Sequence, residues 1–169
     1  MIFALTLIAC APDDVTDETK DTATDTAGDT SEEQEGPGDL SGAWVSEGDD
    51  ISALFQTSFF DYTRIDATFN TDGTYVVTAL NGAGATTDFT GAFTVDATTN
   101  PGTIVLAQTA PSAAESQGIW QVVDDVLTYE VVQTTPDFGY VPPTPESGFG
   151  TTSGPNITAG VNVQIYRRP

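Results

Sequence analysis

The 169 residues suffice for one ordinary domain, and 25 acidic against 4 basic side chains give a net charge of −21. That charge repels nucleic-acid phosphates and anionic lipid surfaces, so nucleic-acid binding is excluded. With no histidine and a single cysteine, Ser-His-Asp and Cys-His catalysis, disulfide staples and thiolate zinc clusters are excluded too.

The first ten residues, MIFALTLIAC, are apolar up to the cysteine but short against the ~20 residues of a transmembrane helix. They read as the tail of an export signal. Leu7-Ile8-Ala9-Cys10 resembles the lipobox of bacterial lipoproteins, and the resemblance implies a lipid anchor on Cys10 that ties the chain to a membrane. By resemblance to lipoprotein sorting, Ala11 after the cysteine is compatible with passage to the outer membrane, which places the protein in the cell envelope. Residues 11–39 follow with eleven acidic side chains from Asp13 to Asp39, Lys20 as the one base, no aromatic residue and Val15 as the one large aliphatic. Such a segment buries too little apolar surface to offset its ordering entropy, so a disordered, self-repelling acidic linker is expected. The recurrent Asp-Thr pairs at 21, 25 and 29 lack the spacing and closing glutamate of a calcium loop. No metal site is predicted.

After Asp39 the composition turns aromatic and β-branched, and apolar residues alternate with polar ones. Ile65, Ala67 and Phe69 face opposite to Arg64, Asp66 and Thr68. Phe89, Phe93 and Val95 make a second face around Gly91. Leu127, Tyr129 and Val131 make a third, opposite Thr128 and Glu130, and Val161, Val163 and Ile165 a fourth, opposite Asn162 and Gln164. Asp72-Gly73 and Asp124-Asp125 are hairpin signals, while Asn81-Gly82 and Asn100-Pro101-Gly102 mark further turns. Strands are predicted near 41–46, 62–69, 73–80, 88–95, 102–108, 117–123, 126–132 and 158–167. Ile51 to Phe60 reads equally as a short helix or a further strand. The predicted class is all-β, an antiparallel up-and-down barrel of about eight strands over residues 40–169, with a β-sandwich as the alternative.

The order of motifs resembles the lipocalin-like, or calycin-like, small barrels. Leu40-Ser41-Gly42-Ala43-Trp44 is similar to the G-x-W of their first strand, and Gln164-Ile165-Tyr166-Arg167-Arg168 to their closing strand. Phe69 to Tyr75, Gly118-Ile119-Trp120 and Val126 to Tyr129 resemble the hairpins of bacterial lipocalin-like domains. The resemblance implies a structural pair in which Arg167 or Arg168 packs over Trp44 and closes one end of the barrel.

Two aromatic groups are candidates for a ligand site. Phe55, Phe59 and Phe60 follow the first strand, where lipocalin-like proteins place the loop over their open end. Phe138, Tyr140 and Phe149 sit on a Pro- and Gly-rich stretch from Gln133 to Asn156, and loops that long inside compact domains are often functional. These rings either cover a cavity mouth or pin the loop to the barrel wall. The acidic pairs Asp49-Asp50 and Asp124-Asp125 are adjacent on turns and do not flank a bond as acid–base catalysis requires, so no catalytic residue and no cofactor is assigned. Asn156-Ile157-Thr158 matches a glycosylation sequon, which the lipobox argues against. The expected function is a noncatalytic binding module, lipid-anchored through Cys10, that holds a small apolar ligand or an envelope partner. The alternative is a structural or interaction lipoprotein whose filled barrel binds no small ligand.

Overall fold

In the computed structural model, which describes residues 36–169, the alternating segments pair into one closed antiparallel barrel. Its strands are β1 (Gly42–Glu47), β2 (Tyr62–Phe69), β3 (Thr74–Asn81), β4 (Thr86–Asp96), β5 (Gly102–Ala110), β6 (Ala114–Val123), β7 (Val126–Thr135) and β8 (Gln164–Arg167). Each pairs with its neighbour in sequence, and β1 meets β8 to complete the ring. Closure excludes the sandwich. Met1 to Glu35, which include Cys10 and most of the expected linker, lie outside the described residues. Pro37 is buried, and its carbonyl accepts a hydrogen bond from the Val122 amide at 2.6 Å.

Period-two burial makes the core. Ile65, Ala67 and Phe69 of β2 meet Tyr75 and Ala79 of β3, Ile104 and Leu106 of β5, Trp120 of β6 and Leu127 and Tyr129 of β7 in one apolar cluster. Val95, expected on an inner face, is 44 % exposed near the end of β4. The β6–β7 hairpin turns on Asp124 and Asp125, both at positive φ (49° and 61°), as a two-residue turn twisted to match its strands requires.

Two further expectations need correction. Residues 51–60 form neither a regular helix nor a strand; a single 3-10 turn at Gly48–Asp50 leads into successive turns. The last strand is four residues long rather than ten, and its inward side is the reverse of that expected. Asn162 and Gln164 are buried, whereas Val161, Val163 and Ile165 are only partly so. Hydrogen bonding overrides hydropathy here. The Gln164 side chain accepts from the Ser52 amide at 2.9 Å and donates to Ser46 Oγ and to the Asp50 carbonyl, and Asn162 Nδ2 donates to the Val131 carbonyl at 2.7 Å.

At the end of the barrel that carries the β2–β3, β4–β5 and β6–β7 turns, Trp44 is buried and its indole N–H donates to the Leu40 carbonyl at 2.7 Å. The Arg168 guanidinium lies 4.0 Å from the Trp44 ring centroid and donates to the Ser41 and Asp39 carbonyls. Arg167 points elsewhere, to Asp50 at 2.8 Å. Gly42 makes room for the stack: it has φ +105°, and a Cβ there would stand 2.5 Å from Arg168 Nη1. Substituting Arg168→Ala removes the ring contact and both hydrogen bonds, so about 2 kcal/mol of stability is expected to go. A urea midpoint that falls without a change in slope is the check; an unaltered midpoint would remove the stack from the account of closure.

Candidate functional site

The opposite end of the barrel is open. Two long connections flank it, 48–61 between β1 and β2 and 136–163 between β7 and β8. They are tied to each other by the Leu54 amide, which donates to the Val161 carbonyl at 2.9 Å. Between the strands lies a cavity of about 550 Å³, within the ~300–1,000 Å³ usual for small-molecule sites.

Aromatic residues dominate its lining. Phe55, Phe59, Phe60 and Tyr62 enter from the first connection and the start of β2. Phe55, Phe60 and Tyr62 pack as a triangle with centroids 5.4–5.8 Å apart, and Phe59 meets Phe60 edge-on at 4.8 Å. Phe138 and Tyr140 line the cavity from the second connection with Pro155, Asn156 and Ile157. Phe59 and Phe138 are 85 % and 57 % exposed, which puts them at the mouth. Of the six aromatic candidates read from the sequence, Phe149 is the one that does not line the cavity.

Deeper in, the strands bring together three tyrosines that sequence reasoning did not single out for the site: Tyr129 was expected on an inward face, whereas Tyr166 lies on the side of the last strand opposite the one expected inward. Tyr75 of β3, Tyr129 of β7 and Tyr166 of β8 all line the cavity. Each is less than a tenth exposed. Tyr75 and Tyr129 both flank Phe69, and Tyr129 meets Tyr166 edge-on at 6.2 Å. Burial raises the pKa of all three phenols, and for Tyr129 the nearby Tyr166 and Tyr75 add to the rise. They therefore remain neutral hydroxyls throughout the physiological range. Among the described residues no charged side chain lines the cavity. Arg64, Arg167 and Arg168 are engaged by Glu47 and Asp66, by Asp50, and by Trp44 respectively.

The long 136–163 connection is held by a residue that the period-two pattern assigned to solvent. Glu130 faces out of the barrel wall yet is fully buried. Its carboxylate accepts from the Gly150 amide at 2.5 Å and from the Thr152 amide at 3.0 Å. Ile119, its cross-strand partner on β6, is equally buried although it alternates with the inward Gly118 and Trp120. This stretch therefore does two things: one part rims the cavity, and another is clamped to the outer face of β6–β7.

Among the described residues no cluster of carboxylates or other ligating groups has the grouping a metal ion needs. The chain was compared with protein-family models, curated proteins and solved structures, and none matches.

Proposed function

We propose that this chain is a membrane-anchored lipoprotein whose lipocalin-like domain holds a small apolar ligand at the cell envelope and performs no chemistry on it. The observation that carries this reading is the cavity: about 550 Å³ at the open end of a closed barrel, lined mainly by apolar and aromatic side chains. Cavities that are small and polar hold water, whereas an apolar one of this size favours an apolar guest. The alternative of a filled barrel requires the inward side chains to occupy that volume. Anchoring rests on the lipobox at Leu7 to Cys10 and on the acidic, apolar-poor segment that follows it.

Native mass spectrometry of the full chain, expressed with its leader in a bacterial envelope and solubilised in detergent, tests both halves. The expected result is an acyl mass on Cys10 that a Cys10→Ala variant lacks, plus a second, noncovalent mass that organic extraction removes and envelope lipid extract restores. A protein that carries no extractable mass and takes up nothing from that extract is not a carrier.

A further inference from the structure

Resting on the carrier reading, we infer that the cavity selects an uncharged amphiphile, an apolar body with a hydroxyl or carbonyl group that enters first and is met by the hydroxyls of Tyr75, Tyr129 and Tyr166. Three observations converge on this. The first is that the three phenols are more than nine-tenths buried and all line the cavity. None of their hydroxyls has a hydrogen-bond partner among the described residues, and none is sealed from the cavity space, since the sealed, unpartnered side-chain oxygens are Ser52 Oγ and Thr152 Oγ1. A hydroxyl that reaches the cavity space and has no partner in the barrel is free to donate to, and accept from, a guest. Three lining one apolar chamber therefore mark the place where a guest's polar atom is received.

The second observation is the charge of the lining. With no arginine, lysine, aspartate or glutamate among the described residues that line the cavity, a carboxylate headgroup would lose its water and gain no counter-ion, and an ammonium would fare no better. The third is the field around the cavity. Residues 36–169 hold fifteen acidic side chains and three arginines, and the arginines are engaged outside the cavity. That field opposes the approach of anions in particular. The hydroxyls, kept protonated by burial, both donate and accept, so alcohols and carbonyl compounds are equally served.

The test is calorimetric titration of the full-length Cys10→Ala chain with decanol, decanoate and chlorodecane, which share a chain and differ in the leading group. Decanol is expected to bind about tenfold or more tightly than decanoate. Tyr129→Phe and Tyr166→Phe, which keep the rings and their packing, are each expected to weaken decanol by roughly two- to tenfold while leaving chlorodecane unchanged. Decanoate binding as tightly as decanol would overturn the inference, and so would tyrosine variants that bind decanol as the parent does. If none of the three compounds binds, the carrier reading falls with it; if chlorodecane binds and the head groups are not distinguished, the carrier reading stands and the selection by tyrosines is wrong.

Discussion

Replacing Glu130 by alanine is expected to cost about 3–5 kcal/mol and to free the 136–163 connection from the barrel wall. The carboxylate receives two backbone amides, those of Gly150 and Thr152, and hydrogen bonds to a charged acceptor contribute ~1.5–3 kcal/mol each. Alanine leaves both donors without their acceptor in a place where Thr152 is itself buried. The loss therefore includes the desolvation of two amides as well as the missing attraction. Glu130→Gln retains one acceptor oxygen and is expected to fall between parent and alanine. Urea denaturation gives the magnitude. Hydrogen exchange gives the location, because the Gly150 and Thr152 amides should exchange far faster in the alanine variant while those of β2 and β3 do not. An unchanged midpoint with unchanged exchange at those two amides would mean that apolar contacts alone hold the connection in place. Because Phe138, Tyr140 and Pro155 line the cavity from the same connection, the variant is also expected to release a bound guest faster.

The frame of the barrel was legible because its signal is local. Alternation along β2 and β7 reports which residues face inward, and the turn residues at Asp72-Gly73 and Asp124-Asp125 report where the chain reverses. What escaped depends on contacts between distant segments. Glu130 occupies an outward position by period, and its burial comes from backbone amides twenty or more positions later in the chain. Gln164 looks solvent-facing by hydropathy, and its inward placement follows from partners at Ser46 and Ser52, more than a hundred residues earlier. The rim aromatics Phe55, Phe59, Phe60, Phe138 and Tyr140 could be picked out as rings on loops. The tyrosines behind them could not, because a half-buried strand residue looks the same in sequence whether the space before it is filled or empty. Phe149 shares the composition of its loop but sits beside the Glu130 clamp in sequence, away from the cavity lining.

Gly118→Ala is expected to be the most damaging single substitution in the barrel, costing about 4 kcal/mol or more and leaving little folded chain. Gly118 is buried in β6 and registers with Val131 of β7. A Cβ on it would stand 1.9 Å from the Glu130 carbonyl oxygen and 2.7 Å from the Val131 Cα. Both are backbone atoms of the neighbouring strand, so no side-chain rotation relieves the overlap, and the β6–β7 ladder must separate. Gly91 of β4 stands in the same relation to β5, 2.1 Å from the Ala107 carbonyl oxygen, so two strands of the wall coil tightly because a side chain is missing from each. Gly48→Ala is the control: among the described residues nothing lies within 4 Å of its Cβ position, and its φ of +59° is what opposes the change, at a cost of ~1–2 kcal/mol. Soluble yield, circular dichroism and urea midpoint rank the three variants. A well-folded Gly118→Ala protein with a midpoint near that of Gly48→Ala would mean that the β6–β7 approach is looser than described. The site of the clash also couples the two largest effects, because a displaced Glu130 backbone carries its carboxylate away from Gly150 and Thr152. Adding Glu130→Ala to Gly118→Ala should therefore cost less than the sum of the two alone, a shortfall that a double-mutant cycle on whatever folds at low temperature would read directly.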